Sequence, residues 1–405
     1  MKTPYGHLTY CSNIHPGERW EEHFASLKES LPLIKEQRSP TQSFGLGLRL
    51  ANEASLALSE SKNLAEFKAW LEAEDIYVFV INGFPYGGFH DTVVKDQVHT
   101  PDWTTDERQA YTFRLFHILS QLLPEGMDGG VSTPPLSYRL WWESDTQRLF
   151  ATEKATAHML QVLDELIGIK EKTGRNLHLD IEPEPDGILD NIADFIDWYT
   201  KSLLPTGISY LKKKYSLEEE QAKSIILNHI RLCYDICHAA VAYEHPKEIL
   251  SDLQKYGIQV GRIQISSALK VDFSENTEAK LQAISTFNEP IYLHQVVART
   301  AAEELEHYPD LPQALAAHHD NQREWRVHFH VPLFISSYGL LESTQQEIID
   351  TLALHQKQPF TQFLEVETYT WGVLPADLQK PIAESISREL AWVETTLASL
   401  SNPKE

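Results

Sequence analysis

The sequence predicts an α/β chain folded as a (β/α)8 TIM barrel, and three observations lead there. Eight short β-rich runs alternate with longer amphipathic stretches, the pattern of βαβ units and a parallel sheet. Several of those runs are apolar at one parity and polar at the other, as strands with one face on helices and one on a barrel axis must be. The length of 405 residues suits one barrel with insertions.

In chain order, the strands are expected at residues 7–13, 45–50, 76–82, 130–133, 177–182, 230–236, 262–266 and 363–367. Helical patterns lie between them at 20–36, 64–74, 106–122, 147–173 and 188–204, and a last helix at 376–400 closes the barrel. The stripe Phe113, Leu115, Phe116 and Leu119 is core packing rather than a binding face. In the fifth strand Leu177, Leu179 and Ile181 alternate with His178, Asp180 and Glu182, and Pro183 then stops the ladder. In the seventh, Ile263 and Ile265 alternate with Arg262, Gln264 and Ser266; in the eighth, Leu364 and Val366 alternate with Glu365 and Glu367. About ninety residues separate the last two strands, far more than one connection needs. Residues 270–362 therefore read as an insertion after strand seven, with strand-like runs at 291–297 and 325–334, inside a single domain spanning 1–405.

The charge balance, 35 Lys+Arg against 58 Asp+Glu, has the wrong sign for a polyanion-binding protein and argues against nucleic acid as partner. No apolar run approaches the roughly 20 residues that span a bilayer, and no leader pattern opens the chain. Three cysteines, Cys11, Cys233 and Cys237, build no disulfide framework and fit a reducing, cytoplasmic setting.

Polar residues at strand ends carry the chemistry, because the C-terminal face of a barrel is its catalytic face. Asp235 ends one strand and His238 follows three residues on, a pair that suits either a divalent cation or an Asp capping a helix. Glu182, Gln264 and Glu367 lie on the polar parity of neighbouring strands. Like charges gathered around one axis are costly unless a cation or shared protons neutralise them. A metal set of Glu182, Asp235, Gln264 and Glu367 follows, with Glu182, Glu367 and His238 as candidate catalytic groups. The amide oxygen of Gln264 favours Mg2+ or Mn2+, with Zn2+ as the alternative. His7, Arg49, Asn82, His294, His328, His330 and Glu365 are candidate substrate contacts; Trp103 and Tyr111 are candidates to cover a sugar ring. His328 and His330 share one strand face and can reach one site.

The succession Glu182-Pro183, Asp235 to His238, Gln264 and Glu367-Thr368 resembles the xylose-isomerase-like superfamily of sugar isomerases, epimerases and apurinic endonucleases. The resemblance implies one to three divalent cations held from the late strands; Gln264 departs from it, standing where the superfamily usually has a histidine. Nearly the whole chain is similar to the EboE family of bacterial metabolite traffic proteins. The runs that carry this are Tyr5–Tyr10, Asn82–Gly87, Pro101-Asp102-Trp103, Ser132-Thr133-Pro134, Glu182–Pro185, His328–Pro332 and Glu365–Trp371. That likeness implies a sugar- or cyclitol-like small molecule as substrate and functional partners in one secondary-metabolite pathway. Three activities compete: a metal-dependent isomerase or epimerase, a metal-dependent phosphoester hydrolase, and a carrier without catalysis.

Overall fold

All eight expected runs are strands, and they run parallel around one axis in the computed structural model, which describes residues 1–88, 94–369 and 380–401. After a two-residue strand β1 (Lys2–Thr3), the barrel strands are β2 (Gly6–Tyr10), β3 (Phe44–Arg49), β4 (Ile76–Asn82), β5 (Gly129–Thr133), β6 (Leu177–Ile181), β7 (Ile230–Asp235) and β8 (Val260–Ile265). Six insertion strands follow before the last barrel strand: β9 (Leu269–Asp272), β10 (Val296–Thr300), β11 (Leu305–Tyr308), β12 (Gln322–Val327), β13 (Ser337–Tyr338) and β14 (Leu341–Ser343), then β15 (Phe363–Val366). The sheet order is β1-β2-β15-β8-β7-β6-β5-β4-β3, with only β1 antiparallel. Side chains complete the β2–β3 seam. Thr9 Oγ1 donates to Gly45 O at 2.6 Å and accepts from Gly47 N at 3.1 Å, beside a lone Cys11–Gly47 bridge.

The barrel interior is layered. Near the strand starts, the rings of His7, Phe79, His178 and Phe363 pack together, with Phe79–Phe363 centroids 5.2 Å apart. One layer up, the fully buried Arg262 donates to Asp180 Oδ2 at 3.1 Å and to Glu365 Oε2 at 3.0 Å, and to the carbonyls of Ile81 and Gly130. Gly47 and Gly261 face this layer, where a Cβ would overlap the carboxylates of Glu365 and Asp180. The third layer, at the strand ends, holds Glu182, Asp235 and Glu367.

Helices cover the apolar parity. Helix Asp106–Leu122 starts where the Thr105 hydroxyl accepts from Arg108 N, and buries Tyr111, Leu115, Phe116 and Leu119. Helix Asp145–Thr173 opens with a Ser144–Gln147 capping box and stops at Gly174, whose φ of 74° is left-handed. The helix expected at 188–204 instead starts at Ile192, because Asn191 caps it, and continues through a π turn (Tyr199–Leu203) to Tyr215. Residues 89–93, Trp371, and 376–379 of the expected last helix lie outside the described residues.

The insertion is a six-stranded antiparallel sheet, ordered β11-β10-β12-β9-β14-β13, around Leu269, Val271, Ile284, Val296, Trp325 and Val327. Four of its strands, β9, β11, β13 and β14, were not expected. The run expected at 325–334 leaves the ladder after Val327, where Phe329 and Val331 continue into the insertion core while His328 and His330 turn to the barrel mouth. No helix among the described residues is long and apolar enough to cross a membrane.

Candidate functional site

Asp235 ends β7, and its Oδ1 accepts from His238 N at 3.1 Å and from Ser266 Oγ at 2.7 Å. The helix cap and the metal reading are thus both open to it, because Oδ2 is buried with no hydrogen-bond partner. Ligand oxygens of Glu182, Asp235 and Glu367 lie within 4.8 Å of one another, all on buried residues. Asn13 Nδ2 and Asn82 Nδ2 both donate to Glu367 Oε1, at 2.7 and 3.0 Å, which fixes that carboxylate. Glu182 receives only the Cys233 thiol, at 3.6 Å, among the described residues. Gln264 is fully buried in register with Asp235 on one side and Glu365 on the other, and neither side-chain polar atom has a hydrogen-bond partner.

An imidazole half adjoins this acidic one. His238 Nδ1 lies 2.9 Å from Pro183 O, His328 Nδ1 2.8 Å from Gln295 Oε1, and His330 Nδ1 3.0 Å from Glu367 O. Carbonyl oxygens only accept, so Nδ1 carries the proton in each ring and Nε2 is the coordinating nitrogen. Gln295 Nε2 in turn donates to Pro185 O, which sets the orientation of its amide. Asp235, His238 and His330 form one ligand-competent group, Glu184, His238 and His328 a second, and Cys237, His328 and His330 a third. Asp235 belongs to both halves.

Electrostatics follow from the burial. Glu182 is pushed well above the usual carboxylate range by burial, then by Glu367, Asp235 and Glu184. Burial and the charges of Asp235 and Glu365 do the same to Glu367. Burial pushes Asp235 up as well, but His238, His330 and its two hydrogen bonds hold it below the usual range. Burial lowers His330 to about 4 despite Asp235, and raises Glu184 to about 8.

Glu182, Asp235, Glu367, His238, Asn82, His328 and His330 therefore come together, and all but Asp235 line a small cavity of about 50 Å³ with Asn13, Phe84 and Tyr369. Four expected substrate contacts stand apart from it. His7 sits at the opposite end of the barrel, with Nδ1 2.8 Å from Tyr77 Oη. Glu365 is one layer too deep and is bound to Arg262. His294 uses both nitrogens structurally, on His328 O and Glu289 Oε1, and stacks on Phe329. Arg49 lies at mouth level, but its guanidinium is turned to Glu18 and Gly87 O. Trp103 and Tyr111 are fully buried, donating to Thr133 Oγ1 and Leu50 O, so neither covers a ligand. Three residues of the site escaped the sequence reading: Asn13, Glu184, and the buried His99, whose Nε2 is 3.5 Å from Glu184 Oε2. The repeat in Glu182-Pro183-Glu184-Pro185 was a signal for Glu184; His99 left none.

No protein-family profile and no curated protein matches the chain in sequence. Solved structures do match in fold. A xylose-isomerase-like TIM-barrel protein from Mycobacterium smegmatis, in complex with magnesium, superposes with a TM-score of 0.51 at 12% identity, covering 99% of each chain. The fold is the xylose-isomerase-like TIM barrel. An IolI protein with a bound zinc atom and a D-tagatose 3-epimerase-like protein each give a TM-score of 0.47, at 12% and 11% identity, covering 97% of this chain and 98% of theirs.

Proposed function

We propose that this xylose-isomerase-like barrel is a metal-dependent isomerase or epimerase of a sugar- or cyclitol-like metabolite, of the EboE type that its motifs resemble. One observation carries the reading: three buried carboxylates converge while Asp235 Oδ2 and the whole Gln264 amide go without a hydrogen-bond partner. An uncompensated buried charge costs several kcal/mol, so these residues fit a divalent cation better than they fit one another. Glu182, Asp235, Gln264 and Glu367 would hold it, an all-oxygen set that favours Mg2+ or Mn2+. The magnesium bound by the Mycobacterium smegmatis protein supports that choice. Such an ion, when bound, polarises adjacent substrate oxygens and acidifies the C–H between them.

The chain's own residues divide the remaining work. Asn13 and Asn82 keep Glu367 oriented. Glu182 is the less restrained carboxylate and is the one assigned to carry the substrate proton. His330 presents nitrogen to a substrate hydroxyl, and Phe84, Pro85 and Tyr369 wall the cavity against water. The test is exchange of substrate C–H for deuterium in D2O, followed by NMR on a panel of ketoses and cyclitols with Mg2+ or Mn2+ present. Exchange that Glu182→Gln abolishes supports the reading; a cation-loaded protein that exchanges no proton in any of them contradicts it.

A second reading, phosphoester hydrolysis, is favoured by the three imidazoles His238, His328 and His330, which suit Zn2+ and a second ion. Release of inorganic phosphate from sugar phosphates with Zn2+ distinguishes it.

A further inference from the structure

The barrel and the insertion meet at the mouth through facing imidazoles. His238 follows β7 of the barrel, and His328 follows β12 of the insertion; their Nε2 atoms are 3.1 Å apart. In both rings Nδ1 is committed as a donor, to Pro183 O and to Gln295 Oε1. With both Nδ1 atoms donating, the two Nε2 lone pairs face each other, a contact that is relieved by a shared proton or by a metal cation between or beside them. The same seam carries further groups suited to a cation. Glu184 Oε1 is 3.7 Å from His328 Nδ1, and Asp235 Oδ2, buried and without a hydrogen-bond partner, is 3.9 Å from His330 Nε2. Direct attachment across the seam at this point is by single hydrogen bonds: Val331 N donates to Ser267 O, Gln295 Nε2 to Pro185 O, His330 Nδ1 to Glu367 O and the Cys237 thiol to Phe329 O.

We propose that a divalent cation on the imidazole side of the mouth, shared by Glu184 and His238 of the barrel and His328 of the insertion, ties the insertion to the barrel, so that the order of segment 328–331 depends on its binding. The proposal rests on the cation-binding reading above and adds to it a consequence for the fold. The insertion has its own hydrophobic core around Trp325 and Val327, so loss of the cation leaves that sheet intact and loosens only the seam. The imidazoles are thereby positioning elements as well as ligands: the segment that delivers His328 and His330 closes on the mouth when the ion arrives.

Hydrogen–deuterium exchange of the full chain, read by mass spectrometry in EDTA and then in Zn2+ or Mn2+ at fixed pH, tests this. Cation binding is measured in parallel by calorimetry. At a free cation concentration of 100 Kd, opening that requires release of the ion is suppressed about 100-fold. The expected result is slowing of that order at the amides of His328 and Val331, with no change in β11 or in β6. His328→Ala should remove the cation-dependent slowing; Glu303→Ala, an exposed position on the insertion away from the seam, should retain it. Cation bound with seam amides unchanged overturns the proposal and leaves the metal site standing. No cation bound overturns both.

Discussion

Replacing Glu182 by Gln separates the two electrostatic states of the mouth. Burial and three neighbouring carboxylates hold Glu182 well above the usual carboxylate range, so Gln imitates the form that the cation-free protein favours. Thermal stability in EDTA should therefore stay equal or rise. With cation the order reverses. A ligand at 100 Kd stabilises by about 2.7 kcal/mol. An unfolding entropy of about 2.1 cal/mol/K per residue, over 405 residues, converts this into a rise in Tm of about 3 °C. Loss of one carboxylate ligand from a three-carboxylate set should weaken binding on the order of 100-fold, the upper end of what even outer-sphere changes cost. The same cation concentration then equals Kd and the gain shrinks to about 0.4 kcal/mol, roughly 0.5 °C. Differential scanning fluorimetry with and without Mn2+ reads both numbers. A Glu182→Gln protein that is destabilised in EDTA, yet keeps the full 3 °C response, would refute the reasoning.

Other substitutions probe the same account. Gln264→Leu should leave stability unchanged or higher, since it removes a buried amide without hydrogen-bond partners, while weakening Mn2+ binding in calorimetry; Gln264→His should shift preference towards Zn2+. Asn13→Ala should lower cation affinity about 10-fold, because it frees Glu367, with little change in circular dichroism. Glu389, bonded to Thr368 behind the mouth, offers a pH test on a buried group outside the cavity lining. Burial raises it to about 8 in the folded chain, although Leu333 N and Thr368 Oγ1 donate to it, whereas the unfolded group titrates near 4.5. The folded state then binds more protons between these values. Its contribution is greatest below pH 4.5, declines by up to about 1.4 kcal/mol per pH unit towards pH 8, and is level above. Chemical denaturation from pH 6 to 9 should show Glu389→Gln gaining on the wild type as pH rises; parallel curves would reject this.

The barrel was legible because strand parity is a local property. Leu177 to Ile181 announces its two faces in five residues, and Glu182, Asp235 and Glu367 then fall at strand ends on the polar side. Parity fixes a side chain's face but not its height along the axis. His7, Glu365 and Glu367 therefore read alike, although the structure puts them in three successive layers. Height depends on the stagger between strands, which arises from pairing across the barrel and has no local signature. The insertion's strands β9, β11, β13 and β14 span two to four residues, too few to show a period. Asn13 went unread because its role exists only through Glu367, 354 positions away. His294 looked like a site residue because a histidine among aromatics gives no hint that both its nitrogens are satisfied. Gln264 remains the most informative departure from the resemblance: it occupies the expected register, and nothing among the described residues satisfies it.

The central claim is that Glu182, Asp235 and Glu367 share a divalent cation. Anomalous diffraction from crystals soaked in Mn2+, collected at the manganese edge, tests it most directly. The account predicts a peak at the mouth, about 2.0–2.3 Å from an oxygen of each of the three carboxylates, with the Gln264 amide oxygen turned towards it. An ordered mouth without a peak, with Gln264 hydrogen-bonded to protein or water instead, would contradict it.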